Sequence, residues 1–320
     1  MTFKWSDMAF SSKKPLKELK AIFVVAPREL STKRFTQLVK EYLPQGNLVI
    51  GISDEPYILG FEGQPQFQML QAATIQPVID KIAASGSQNQ VYILEYSQRD
   101  LPYILEKVPF AQVLLVNGSW KYSFHLSPAY YVLAQSKTPF SYISPFTGED
   151  EAREYEQRKQ KQLIKPSAKI GESYKESELL EVVADAAKSS YDYNSQVGLV
   201  LSKKRLSKYQ LLSLAYNKVV PYQTYALHNG ASREQHFSPA NDLGHYDTVH
   251  AEAMIVLGAR QLNLNLSGTT LFINVLPCPS CARIISQTDI EEIVYREDHS
   301  DGYAVRMLEL SGKRVRRVVS

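Results

Sequence analysis

The sequence predicts an α/β protein of two domains: an N-terminal Rossmann-like domain with a parallel sheet, and a C-terminal α/β/α domain with a mixed sheet. Three observations predict it. At 320 residues the chain exceeds what one compact core usually organises. Apolar β-branched runs alternate with amphipathic stretches, the pattern of strands covered on both faces by helices. From residue 149 to 165 the chain reads EDEAREYEQRKQKQLIK, a charged helix or linker with no apolar face, and Pro166 follows. These readings place one domain at residues 1–148, a charged linker at 149–170 and a second domain at 171–320.

In the first half, residues 21–25 (AIFVV) form a buried strand and 35–43 a helix. A second strand covers 48–52, a helical stretch runs through 75–82, and further strands occupy 91–94 and 113–116. The turn after the first strand, Ala26-Pro27-Arg28-Glu29, has no glycine-rich phosphate loop. Ser53-Asp54-Glu55 reads as a polar loop at a strand end and Asn117-Gly118-Ser119 as a turn, so this half carries no legible chemistry. In the second half, Leu179, Leu180, Val183, Ala186 and Ala187 lie at helical spacing within 176–189. Strands at 197–202 and 211–216 follow, joined by the basic turn Lys203-Lys204-Arg205. A long polar loop, 218–248, leads into a helix opening at His250-Ala251-Glu252. The strand 270–275 runs directly into Pro277-Cys278-Pro279-Ser280-Cys281. A short helix at Ile284-Ile285, a strand at 293–295, a helix at 304–310 and a last strand at 315–319 complete the order.

Composition narrows the function. The formal charge is +3 from 36 basic and 33 acidic residues, which gives no global excess for a nucleic-acid binder. The basic cluster Lys313, Arg314, Arg316 and Arg317 reads as a solvated strand end. Lys4, Lys13, Lys14, Lys17 and Lys20 interrupt any signal-peptide core, and no apolar run approaches the roughly 20 residues that cross a bilayer. The two cysteines, Cys278 and Cys281, are too close together to act as a staple. The expectation is a soluble cytoplasmic enzyme without membrane partners.

Those two cysteines and His250 are metal-ligand types placed at two helix starts. Helix N-termini carry unpaired N–H groups and partial positive charge, which favour thiolates. Cysteines three apart face the same side of a turn, so both sulfurs can reach one ion at about 2.3 Å. Pro277 and Pro279 stiffen the turn. Three protein ligands leave the fourth tetrahedral position of a zinc ion for water, the catalytic pattern. Glu252, two residues past His250, is placed to carry protons. His245 precedes the helix without an adjacent glutamate and reads, like His228 and His236, as a loop histidine.

H-x-E followed by P-C-x-x-C resembles the zinc-dependent cytidine and deoxycytidylate deaminase superfamily. The resemblance covers most of the chain after about Glu176 and is greatest to deoxycytidylate deaminases. It rests on Val249-His250-Ala251-Glu252-Ala253, on Pro277-Cys278-Pro279-Ser280-Cys281-Ala282, and on a similar tail at Tyr295 and Gly302. It implies a five-stranded mixed sheet, Zn2+ as cofactor, His250, Cys278 and Cys281 as ligands and Glu252 as proton shuttle. Asn217, within Ala215-Tyr216-Asn217, would contact the substrate, with Ala251 and Tyr191 beside it. The implied reaction is hydrolytic deamination of a cytosine-type nucleotide or nucleoside with release of ammonia, by a hydrolase acting on C–N bonds of cyclic amidines. A homo-oligomer is the implied assembly. The sequence departs from deoxycytidylate deaminases in the loop Ser190-Tyr191-Asp192-Tyr193-Asn194-Ser195, which has an acid and no base where phosphate would be met. Arg233 is a candidate to supply that charge, and Met254 replaces a polar residue. A deaminase of RNA or single-stranded DNA, and a non-catalytic nucleotide-binding protein, are the alternative readings. The first wants a basic aromatic groove and the second no glutamate.

Overall fold

The computed structural model describes residues 1–8, 14–25, 28–163, 167–239, 242, 244–299 and 302–319. Lys13, Ala26, Pro27, Lys165 and Pro166 of the preceding expectations lie outside them. The strands are β1 (Thr2–Lys4), β2 (Ile22–Val25), β3 (Leu48–Ser53), β4 (Val91–Tyr96), β5 (Gln112–Val116), β6 (Phe140–Ile143) and β7 (Ser173–Tyr174). They continue as β8 (Gly198–Arg205), β9 (Lys208–Tyr216), β10 (Lys218–Val219), β11 (Thr248–Val249), β12 (Thr269–Val275), β13 (Ile290–Glu297) and β14 (Arg314–Arg317). The helices are α1 (Lys14–Glu18), α2 (Thr32–Tyr42), α3 (Ala72–Ala84), α4 (Leu101–Lys107), α5 (Pro128–Ser136) and α6 (Glu149–Gln160). After them come α7 (Glu176–Ala187), α8 (Tyr225–Asn229), α9 (Ser232–Gln235), α10 (Ala251–Gln261), α11 (Pro279–Ser286) and α12 (Tyr303–Leu310).

The chain divides into two compact units, each made of two segments. Residues 1–159 and 224–247 form the first, and residues 160–223 and 248–320 the second. The polar loop expected at 218–248 therefore contributes most of its length to the N-terminal unit.

That unit is the expected Rossmann-like domain. Its sheet has the order β1-β4-β3-β2-β5-β6, with every pairing parallel. Ile22, Val24, Ile50, Ile93 and Leu114 meet Phe35 and Leu38 of α2 and Ile75 and Ile79 of α3 in one cluster. The successive connections run to one side of β2 up to β4 and then cross to β5 on its other side. The carboxyl ends of β2 and β5 are thus the switch point of the sheet, where such folds usually open a crevice. Ser31 caps α2 by accepting from the Arg34 N–H at 3.0 Å.

One expectation is corrected in this unit. The charged stretch beginning at Glu149 is helical, as α6, but it does have a buried face: Ala152, Tyr155 and Lys159, at i, i+3 and i+7. The Lys159 ammonium ends on Glu29 and Gln68, each at 2.5 Å, which lets its aliphatic stem pack inward.

The C-terminal unit is a three-layer α/β/α domain with a mixed sheet ordered β14-β13-β12-β8-β9-β7. β12, β13 and β14 run parallel, while β8 is antiparallel to both β12 and β9. The sixth strand, beyond the five expected, is β7, a two-residue edge paired to β9. Alternation along β8 feeds two cores: Leu199 and Leu201 pack with α10, α11 and α12, and Val200 packs with α7. The β8–β9 hairpin pairs Arg205 with Lys208, so Lys203-Lys204-Arg205 lies in the strand and the turn is one step later. Gly198 starts β8 against α7, where a Cβ would lie 2.1 Å from the Val183 carbonyl oxygen and 2.6 Å from the Ala187 nitrogen. Arg316 of β14 pairs with Glu176 through two 2.7 Å bonds, which places part of the basic C-terminal cluster in an ion pair.

Among the described residues, no helix is long and apolar enough to cross a membrane.

Candidate metal centre

The centre is assembled from two helix starts and a strand end. His250 occupies the cap position before α10 in an extended conformation, and its carbonyl accepts the Met254 N–H at 3.1 Å. Cys278 occupies the cap position before α11, with Pro279 next, and its sulfur accepts the Cys281 N–H at 3.5 Å. Parallel pairing of β12 with β13 positions the exit from β12, and Leu276 N–H bonds to the Glu297 carbonyl just before the cysteine turn. The result brings His250 Nδ1 to 3.6 Å from Cys278 Sγ and 3.3 Å from Cys281 Sγ. All three ligand atoms lie within 4.8 Å of one another and can hold a metal ion. Both cysteines are free and buried.

The electrostatics suit a cation. The hydrogen bond from Cys281 holds the Cys278 thiol down to about 4, helped by His250. The neighbouring sulfur, burial and Glu252 push Cys281 upward, because a second negative charge there is opposed. The Cys278 sulfur raises the His250 imidazole above its ordinary value. Burial likewise pushes the Glu252 carboxyl up. Glu252 is only 3 % exposed, and its Oε2 has no hydrogen-bond partner among the described residues. A buried carboxylate oxygen left unpaired beside two thiols and an imidazole fits a cation and its bound water, since such a group is otherwise costly to bury. The donor set, two sulfurs and one nitrogen, is that of a zinc site with a position open for water.

The second tier was only partly anticipated. Asn217 follows β9 and is 1 % exposed. Its Oδ1 accepts the Ala251 N–H at 2.9 Å, while its Nδ2 donates to the Ser195 carbonyl at 2.9 Å and to Asp192 Oδ2 at 3.3 Å. The carboxamide thus fixes the start of the helix that carries His250 and Glu252. Asp192 Oδ1 also accepts the N–H groups of Asn194 and Ser195 at 2.8 and 3.2 Å. Ser190 Oγ donates to the Asn217 carbonyl at 2.7 Å and accepts the Asp192 N–H at 3.0 Å. Asp192, which the sequence presents as a charge in a loop, is a buried positioning group. The short-range pattern Ser-x-Asp-x-Asn, whose side chains bond backbone two residues on, is the signal for this turn. Tyr191, expected beside the substrate, is 1 % exposed.

Other predicted residues belong to the N-terminal unit. Arg233, the expected source of phosphate-binding charge, is buried in the N-terminal unit, bonded to the Asp242 carbonyl and lying 4.9 Å from the Tyr246 ring centroid. His245 bonds to Asp242 and Ser238 and stacks on His236, both loop histidines of that unit, whereas His228, expected in a loop, lies in α8 and bonds to Ser144.

Residues 173–297 match the family model of the cytidine and deoxycytidylate deaminase zinc-binding region. The match takes in His250, Glu252, Cys278 and Cys281, while the N-terminal half lies outside it. Among individual proteins, the chain is 29 % identical over 163 residues to a probable deoxycytidylate deaminase of Drosophila melanogaster, spanning 48 % of this chain and 76 % of that protein. It is 30 % identical over 66 residues to the deoxycytidylate deaminase of Enterobacteria phage T2, spanning 21 % of this chain and 35 % of the phage protein. A solved dCMP deaminase from cyanophage S-TIM5, in complex with dCMP and dUMP, aligns over 44 % of this chain and 95 % of its own at 16 % identity and a TM-score of 0.35.

Proposed function

We propose that the C-terminal unit is a zinc-dependent hydrolytic deaminase of a cytosine-type nucleotide or nucleoside. The observation that carries this is the unpartnered Glu252 Oε2 beside the His250–Cys278–Cys281 cluster. The match of residues 173–297 to the deaminase zinc-binding region supports it, as do the deoxycytidylate deaminases among its relatives.

His250 Nδ1 and the two sulfurs would hold the ion, which when bound supplies a water activated for attack at neutral pH. The remaining work falls to the chain. Glu252 takes a proton from the water at Oε2 and delivers it to the departing amino nitrogen, so that ammonia leaves as the ring carbon gains oxygen. Burial raises its carboxyl, which makes it a better proton acceptor than an exposed glutamate. Burial keeps bulk water from competing for the proton. Asn217 and the Ala251 backbone hold the helix start in register and border the substrate side of the centre, with Tyr191 in the adjoining loop. The reaction class is that of a hydrolase acting on a C–N bond of a cyclic amidine.

The test is ammonia release over cytosine, cytidine, deoxycytidine, their 5′-phosphates and short oligonucleotides, with bound zinc measured in parallel. Zinc near one equivalent per chain is expected, with turnover on at least one monomeric cytosine compound. Glu252→Gln should remove turnover and keep the metal. Purified protein without zinc, or a Glu252→Gln variant with full turnover, overturns the reading.

A further inference from the structure

The carboxyl ends of β2 and β5 form the switch point of the N-terminal sheet, the place where a doubly wound domain ordinarily accepts its ligand. Over Gly118 it is filled from within the chain. Arg28 is 0 % exposed and donates to the carbonyls of Gly118 and Gln66 and to the Tyr155 hydroxyl. Above the turn after β5, Leu227 of α8 comes so close that a Cβ on Gly118 would lie 2.1 Å from Leu227 Cδ2. Gly118 also has φ +69°, so glycine is required twice over.

The segment carrying Leu227 is held by polar anchors from several elements of the same unit. The Glu234 carboxylate of α9 accepts the Phe124 N–H, His125 Nδ1 at 3.0 Å and the Tyr142 hydroxyl at 3.0 Å. Burial and that carboxylate raise the Tyr142 phenol, keeping it a donor. His125 Nε2 meets the Ser238 carbonyl at 2.9 Å, His228 meets Ser144 Oγ at 2.8 Å, and Thr224 Oγ1 donates to the Ala152 carbonyl at 2.9 Å. Phe237 packs on His125 and Tyr130. An apolar plug ringed by satisfied polar contacts is how a peptide ligand is held.

We propose that the switch-point crevice of the N-terminal unit is a binding site whose ligand is this chain's own segment 224–239. The segment leaves the C-terminal unit through the two-residue ladder of β10 with β11 and returns through it. Its two ends continue into Asn217 and His250. The N-terminal unit is therefore a clamp on the stretch of chain between those residues. A small molecule and the segment exclude each other there, since the space over Gly118 is already taken.

Two experiments on the full chain test this without reference to deaminase activity. In the wild-type protein, amide exchange under graded denaturant should show residues 225–238 opening together with β5 and β6. Opening together with β8 and β12 instead overturns the proposal. In the Leu227→Ala, Glu234→Gln double variant, exchange at 225–238 should rise at least tenfold while β5, β6 and β12 stay within threefold of wild type. A labelled synthetic peptide of residues 222–239 should then bind the double variant and not the wild type. Unchanged exchange in the segment, or a peptide that fails to distinguish the two proteins, overturns it.

Discussion

Replacing Asn217 by alanine should destabilise the C-terminal unit by about 2 kcal/mol, a figure that follows from its contacts. The substitution strands three partners: the buried Ala251 N–H at the start of α10, the half-buried Ser195 carbonyl and the buried Asp192 Oδ2. A buried polar group left unpaired costs about 1–3 kcal/mol, and loss of a helix-start acceptor alone costs about 1. Asp192 keeps the Asn194 and Ser195 N–H groups, so its charge is not abandoned and each loss stays near the low end. Relief of side-chain ordering returns roughly 0.5–1 kcal/mol. The assay is local amide exchange at β8 and β12 under graded urea, because a protein of two units need not unfold in one step. Adding Asp192→Ala completes a double-mutant cycle, in which a coupling of about 1 kcal/mol is expected. A loss below 1 kcal/mol for Asn217→Ala, or effects that add to within about 0.3 kcal/mol, refutes the claim that this pair holds the metal-site helix.

Gly198→Ala should cost about 2–4 kcal/mol in thermal unfolding of the same unit, since the new methyl must displace the Val183 carbonyl and the Ala187 nitrogen. Cys278→Ser or Cys281→Ser should lose at least nine-tenths of the bound zinc by elemental analysis, and a chelator should lower the melting midpoint of wild type and not of these variants. Glu55 gives a pH signature in the N-terminal unit. Burial acts to raise its carboxyl, but hydrogen bonds from Ser97, Ser53 and the Gln98 N–H bring it down to about 2 from an ordinary 4.5. A depressed carboxyl stabilises above its unfolded value, so about 1–2 kcal/mol, discounted for partial exposure, is present above pH 4.5 and lost as the pH falls towards 2. Glu55→Gln should flatten that slope in acid titrations of stability. Arg316→Ala, which breaks a half-exposed bidentate pair with Glu176, should cost about 1 kcal/mol at low salt and less at 1 M salt.

Much of this was legible because local chemistry and tertiary structure agree. The continuous apolar runs at β2, β3, β4 and β5 are buried on both faces, which is why periodicity found them. The metal-site triad was legible because ligand identity and the helix-start spacing are local. What stayed hidden depends on partners distant in sequence. β1 is three residues and β7 two, too short for any pattern, and β6 reads Phe-Ser-Tyr-Ile with a single fully buried position. The buried face of α6 escaped because Lys159 counts as polar until Glu29 and Gln68 meet it. Asp192 was read by its charge, whereas its role follows from Asn217, 25 positions away.

The discontinuity of the N-terminal unit also constrains how the molecule comes into being. His125 and Glu234, which close its Phe124–Leu126 turn against α9, are 109 residues apart. A chain emerging from its N-terminus has made all six strands of the first sheet well before Leu227 exists to cover Gly118. Until then the space over Gly118 stands open to water. The first unit cannot be complete until β8 and β9 of the second have been synthesised. Separating the two halves by a cut between 160 and 223 would consequently not release a finished N-terminal domain, because its last piece is encoded inside its neighbour.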